Sequence, residues 1–164
     1  MKNVYLVGGT VEVGKTTVCQ QLKRKLPNSV FLDGDWCWDA DPFWVTEETK
    51  KMVLENICFL LNQFIQCSVY DNIIFCWVMH QQEIIDYIVE QLNKTDCKIR
   101  TISLTAKESE LRERLKKDIE EGKRTEDILD RSTERLACYN RLSTVKIDTD
   151  KRSIEDIAEE IAKL

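Results

Sequence analysis

Histidine is almost missing from this 164-residue chain, where His80 stands alone. The seven cysteines, at positions 19, 37, 58, 67, 76, 97 and 138, form no C-x-x-C pair. A zinc centre therefore lacks its usual ligands and spacing. The cysteine number is odd and several sit inside apolar periodic runs, so they read as reduced, small core residues of a cytosolic protein. No apolar run approaches the ~18 residues that span a membrane. The first residues lack a charged-then-apolar leader with a cleavage site. These absences point to a cytoplasmic protein with no membrane partner. Cations are scarce as well: between Leu26 and Asn93 only Lys50 and Lys51 occur, His80 being taken as neutral. The net charge of −5 argues against nucleic acid as the main partner.

What is present centres on Gly9-Thr10-Val11-Glu12-Val13-Gly14-Lys15-Thr16, followed by Thr17. The run fits the phosphate-binding pattern G-x-x-x-x-G-K-[ST] without a gap. Val4 to Val7 reads as a short buried strand before it. Val18 to Leu26 reads as a helix after it, with Val18, Leu22 and Leu26 on one stripe. A strand, this loop and a helix aim backbone N–H groups and a positive helix end at phosphate oxygens. Lys15 would add a point charge at the β/γ phosphates, and the Thr16 hydroxyl would hold Mg²⁺. The plain alternative is a glycine-rich turn that contains a lysine. Glu12 sits where small residues are common, and an anion beside phosphates costs energy unless it points outward.

Hydrophobic residues make up 43% and charged residues 32%, which suits one domain over residues 1–164 that buries roughly 70% of its unfolded surface. Strand and helix patterns alternate along it. Ser29 to Leu32 is a second strand ending at Asp33-Gly34-Asp35. An irregular aromatic and acidic stretch, Trp36 to Trp44, leads to Thr46, an N-cap for a long helix through Ile65. Asn72 to Val78 is a buried strand, followed by a helix over 82–92, a strand over 98–104 and a helix over 107–121. Gly122 breaks the pattern before a helix reaching about Leu142. Thr144 to Ile147 is a last strand, and Ser153 caps a final helix. Five such alternations define an α/β fold with a parallel sheet covered on both faces.

Ligands of such sheets bind at the carboxyl ends of the strands. Asp33 and Asp35 lie at one such end, two residues apart, so an extended backbone would aim both carboxylates the same way. Asp33 is the candidate metal residue beside Thr16. Asp35 is the candidate acceptor of a hydrogen bond, and then a proton, from an attacking hydroxyl. A solvated acidic turn is the alternative. No carboxylate ends the later strand, which continues Cys76-Trp77-Val78-Met79-His80, so Asp33 would have to take over the metal role. From Lys94 to Arg152 the sequence holds sixteen lysines and arginines. Those flanking Gly122, among them Arg124, Arg131 and Arg135, have the composition of a lid that closes over phosphates. A solvated helical hairpin with i,i+4 ion pairs would look similar.

On the loop Gly9–Thr17, the Leu32-Asp33-Gly34-Asp35 strand end, Glu113-Arg114-Leu115 and Ile147-Asp148-Thr149-Asp150, the chain resembles the small P-loop kinases. These are of the nucleoside/nucleotide, shikimate and gluconate kinase kind, with antibiotic phosphotransferases of the same fold. The resemblance implies a three-layer P-loop NTPase fold, five parallel strands in the order 2-3-1-4-5 and a small helical lid over roughly 114–135. It implies ATP and Mg²⁺, Arg114 near the adenine or phosphates, and Thr149 bordering the base. There is no clear R-x-x-x-R lid signature.

The expected activity is transfer of the γ-phosphoryl of Mg·ATP to a hydroxyl-bearing small molecule: a nucleoside, a polyol or sugar acid, or an antibiotic. Lys15, Asp35, Arg124 and Arg131 are the candidate catalytic residues, in a monomer or homodimer. A nucleoside monophosphate is disfavoured, since a phosphate charge ~4 Å from an unpaired carboxylate costs about 4 kcal/mol at an effective dielectric of 20. Trp36, Trp38, Phe43 or Trp44 could stack on an acceptor or simply pack beneath the loop. The competing expectation is an acceptor-less nucleotide-binding module or slow ATPase.

Overall fold

The computed structural model describes residues 1–10 and 13–164. Five strands, β1 (Lys2–Gly8), β2 (Ser29–Asp33), β3 (Asn72–Trp77), β4 (Cys97–Thr105) and β5 (Val145–Asp148), form one sheet. Every described pairing is parallel and the order is β2-β3-β1-β4-β5, the order the resemblance implies. Six α-helices connect and cover them: α1 (Lys15–Lys25), α2 (Glu47–Gln66), α3 (Gln82–Gln91), α4 (Glu108–Glu120), α5 (Asp127–Asn140) and α6 (Ile154–Ala162).

The central strands are buried on both sides, so their side chains divide by alternation between two cores. Val4 and Leu6 of β1, with Ile73 and Phe75 of β3, pack towards α2, α3 and Tyr139 of α5. Tyr5, Val7, Ile74 and Cys76 pack the other way, against Val18, Cys19 and Leu22 of α1 and Ile157, Ala158 and Ile161 of α6. This two-sided burial is why the strands read as continuous apolar runs. Helix starts follow their local chemistry. Thr46 Oγ1 accepts from the Thr49 N–H at 3.1 Å, and the Thr49 hydroxyl accepts from the Thr46 N–H at 2.8 Å, a capping box that opens α2. Ser153 Oγ accepts from Asp156 N at 3.0 Å at the start of α6.

Two boundaries differ from the sequence expectation in ways that bear on the site. Helix α1 begins at Lys15, three residues before the first apolar position, because Gly14 adopts a left-handed φ of 93° and its carbonyl accepts from Val18 N at 2.9 Å. Strand β2 stops at Asp33, and Gly34–Cys37 turns into a short 3-10 helix. Asp33 and Asp35 are therefore not two positions on one extended strand, and the alternation argument for aiming them together does not apply.

Candidate active site

The phosphate loop spans the carboxyl end of β1 and the start of α1, at the centre of the sheet. Gly9 has no room for a side chain there, since a Cβ would meet Val13 Cγ1 at 2.7 Å and the Leu104 carbonyl at 3.0 Å. Thr10 is buried, and its hydroxyl has no partner among the described residues. Gly14 offers no side-chain cap to α1, so the first-turn N–H groups of Lys15, Thr16 and Thr17 remain as donors for an anion. Lys15 Nζ donates to the Thr10 carbonyl at 3.3 Å across the loop. Val11 and Glu12, both expected to line it, lie outside the described residues.

Register brings the acid to the loop. Asp33 pairs with Cys76 across β2 and β3, and both side chains reach the α1 side of the sheet. The Thr16 hydroxyl donates to Asp33 Oδ2 at 3.1 Å and lies 3.8 Å from Cys76 Sγ. The other Asp33 oxygen accepts from Asp35 N at 2.9 Å and so caps the 3-10 turn. Asp33 is buried whereas Asp35 is exposed. A hydroxyl beside a buried carboxylate is a hard-oxygen donor set of the kind Mg²⁺ takes, with room for its waters. Burial lowers the Lys15 pKa, and the charges of Cys76, Asp35, Asp33 and Cys19 oppose that shift. The neighbouring Cys19 thiol is pushed well above its ordinary value, chiefly by burial and then by its hydrogen bond with the Cys76 thiol.

Asp35 faces outward into a cavity of about 800 Å³ between the end of the sheet, α2, α3 and α5. Trp38, Phe43, Trp77 and Tyr87 wall it, together with His80 and Arg135. Trp38 and Phe43 stack on each other, with centroids 4.1 Å apart and planes at 29°. Trp77 is seated by Gly34, where a Cβ would come within 2.4 Å of its ring. Of the four aromatics singled out in the sequence, Trp38 and Phe43 line the cavity. Trp36 instead makes an edge contact with Phe31 at 5.4 Å, and Trp44 is 69% exposed. His80 lies in the cavity wall, with its pKa held down by burial and then by the Arg135 charge, against the Val78 carbonyl.

The basic stretch forms a hairpin of α4 and α5 with its turn at 121–126. Its arginines separate by position. Arg131 makes an i,i+4 ion pair with Asp127 at 3.1 Å on an exposed face. Arg124 pairs with Asp118 at 3.3 Å near the turn. Arg114 is half-buried on α4. Arg135 alone among these lines the cavity with Asp35. It lies one helical turn before Tyr139, whose ring would touch a Cβ on Gly8 at 3.5 Å and whose hydroxyl lies beside the Gly9 backbone. That i,i+4 spacing of Arg135 and Tyr139 was the sequence signal that could have singled out Arg135. Thr149 is buried, and its hydroxyl donates to the Thr105 carbonyl at 2.9 Å, tying the ends of β4 and β5. Ile154, at the start of α6, comes within 3.9 Å of a Cβ on Gly14, so the start of α6 borders the phosphate loop.

Solved structures with this architecture include a tunicamycin resistance protein from Deinococcus radiodurans, with a TM-score of 0.77 at 17% identity, covering 99% of this chain and 95% of that one. A gluconokinase from Sinorhizobium meliloti 1021 gives 0.68 at 18%, over 96% and 88% of the two chains. The Mycobacterium tuberculosis APS kinase in complex with AMPPNP and APS gives 0.68 at 15%, over 99% and 95%. At these identities the likeness is one of fold. No curated protein matches the chain by sequence. No helix among the described residues is long and apolar enough to cross a membrane. The family model described as an AAA domain matches residues 6–136, most of the chain and all of the phosphate loop, and the chain therefore belongs to that family of P-loop proteins.

Proposed function

We propose that this chain is a kinase that moves the γ-phosphoryl group of Mg·ATP to a hydroxyl on a small molecule. The observation that carries the reading is the continuity of two sites: Thr16 and Asp33 share a hydrogen bond on the phosphate loop, and the next acid, Asp35, opens into a separate walled cavity. A nucleotide-binding module has no use for the second site. Bound Mg·ATP supplies the phosphoryl group and the cation that neutralises its oxygens.

In this reading the loop amides from Gly9 to Thr17 and the α1 terminus hold the phosphates, and Lys15 sets a charge beside the transferring group. Thr16 and Asp33 hold the metal and its waters. Asp35 orients the acceptor hydroxyl and takes its proton. Arg135 supplies the arginine of the lid, with Arg124 reaching in from the turn, while Arg131 stays on the outer face. Arg114 and Thr149 border the nucleotide. The fold shared with a gluconokinase and with an APS kinase that binds AMPPNP supports the same chemistry.

The test is ATP consumption with and without a panel of hydroxylated acceptors. Stimulation by one compound class is expected. No stimulation by any class, with intact nucleotide binding, would overturn the kinase reading. One observation favours that second outcome, an acceptor-less module or slow ATPase. Cys76, and not a carboxylate, stands at the β3 end beside Thr16, where a carboxylate would strengthen the hold on metal-bound water.

A further inference from the structure

The cavity beside Asp35 is large and aromatic, and the charged side chains on its wall are Asp35, Glu47, Lys50, Lys51 and Arg135. Its 800 Å³ falls in the upper half of the range that encloses drug-sized ligands, and at roughly 30 Å³ per water it holds on the order of 25 waters. A six-carbon sugar acid would displace only a fraction of them. The cations on the α2 side are already matched: Lys50 pairs with Glu47 at 3.0 Å and Lys51 with Glu55 at 3.8 Å. Asp35 and Arg135 remain, one of each sign, and neither side chain makes an ion pair or hydrogen bond among the described residues. With Arg135 facing the transferring phosphoryl group, an anionic acceptor would meet only Asp35 at the reacting end.

Between those charges lie flat apolar faces. Phe43 is 55% exposed although it stacks on Trp38, so one face of the pair is open to a further ring. Trp77 is fixed against Gly34 and cannot swing away without moving the β2 end. Preformed aromatic faces reward a rigid ring and give little to a flexible polyol.

We infer that the acceptor is an uncharged, ring-bearing, hydroxylated molecule of drug size, bound with its ring against Trp38 and Phe43 and its hydroxyl towards Asp35. This rests on the kinase reading for the phosphoryl step and for the exclusion of anions, which assigns Arg135 to the phosphoryl group; the stacking on Trp38 and Phe43 does not. The probes are uridine and nitrophenyl glucoside as uncharged ring compounds, gluconate and shikimate as anions, and glucose as an uncharged compound without an aromatic ring. Quenching of intrinsic tryptophan fluorescence reads binding, and ATP consumption reads transfer.

The ring compounds are expected to quench saturably and at least tenfold more tightly than gluconate, shikimate or glucose. Phe43→Ala, at an exposed position that leaves the core intact, should weaken them about two- to tenfold, the worth of one ring pair. If gluconate, shikimate or glucose stimulates ATP consumption and the ring compounds do not, the acceptor class is wrong and the kinase reading stands. If the ring compounds bind in a Phe43-dependent way but none stimulates ATP consumption, the site is right and the kinase reading falls. Absence of saturable quenching by both ring compounds, or quenching that Phe43→Ala and Trp38→Phe leave unchanged, overturns the inference.

Discussion

Among the described residues Lys15 carries the one ammonium in a cluster with Asp33, Asp35, Cys19 and Cys76, and burial lowers its pKa below the usual lysine value of 10.5. The sign of the effect on stability follows. On raising the pH, the folded state releases the Lys15 proton before the unfolded state does. The unfolded chain then binds more protons, and stability rises with pH through the window below 10.5. At neutral pH the charged lysine is therefore a cost, which an arriving phosphate removes. Lys15→Met should abolish turnover and raise the melting temperature of the nucleotide-free protein at pH 7, by a margin that shrinks towards pH 10. Mg·ATP should no longer stabilise the variant. A nucleotide-free variant that melts below the parent would sink the idea. The two aspartates are expected to divide their work. Asp33→Asn keeps one acceptor for Thr16 or Asp35 but loses charge, so a Mg²⁺ titration should shift to higher concentration. Asp35→Asn should leave nucleotide affinity near normal and lower single-turnover transfer, with some activity remaining because alignment is only partly lost. A Mg²⁺ shift in Asp35→Asn alone would mean that the roles are exchanged.

At the scale of elements, the α4–α5 hairpin gives a graded prediction. Arg135→Ala should reduce turnover most, by a factor of about 10³ or more if it stabilises the transferring group as arginines do elsewhere. Arg124→Ala should have an intermediate effect. Arg131→Ala should cost almost nothing in turnover, since Arg131 pairs with Asp127 on an exposed face away from the cavity. Equal, full activity in all three would make the hairpin a solvated face. Helix α2 offers a separate check: Thr46→Ala removes one half of the capping box and should lower urea stability by about 1 kcal/mol without changing nucleotide binding. Most elements were legible because their signals are local. The caps at Thr46 and Ser153, the break at Gly122 and the two-sided apolar strands each carry their own chemistry. What was not legible depends on the third dimension. The turn after Asp33 follows from a carboxylate capping its own chain and from Trp77 pressing on Gly34, a contact between residues 43 positions apart. The choice of Arg135 over Arg131 depends on distance along α5 from the buried Tyr139, one helical turn against two.

Over the whole molecule, buried weak acids set the alkaline limit. Burial pushes the Cys58 thiol from 9.0 up to about 11, and Cys19, Cys37, Cys97, Tyr5 and Tyr139 are raised as well. Above pH 9 the unfolded chain loses these protons while the folded one keeps them, so stability falls as the pH rises, opposite in sign to the Lys15 effect. For Cys58 alone this loss falls between pH 9 and about 11. Urea midpoints should therefore drop steeply from pH 8 to pH 10.5, and less steeply in Cys58→Val. A parallel drop in both would remove Cys58 from the account. The burial of Tyr139 has a mechanical consequence too. Helix α5 is held at the buried Tyr139, beside Gly8 and Gly9, and the chain just beyond it at Leu142, while the 121–126 turn lies at the hairpin's far end. The hairpin is thus a cantilever, clamped at one end, in which displacement grows with distance from the clamp. Arg124, near the tip, should then travel farther than Arg135, four residues from the clamp. Amide exchange along α5 should be graded accordingly, fastest next to the turn and slowest at Tyr139, and uniform exchange would show that no such clamp exists.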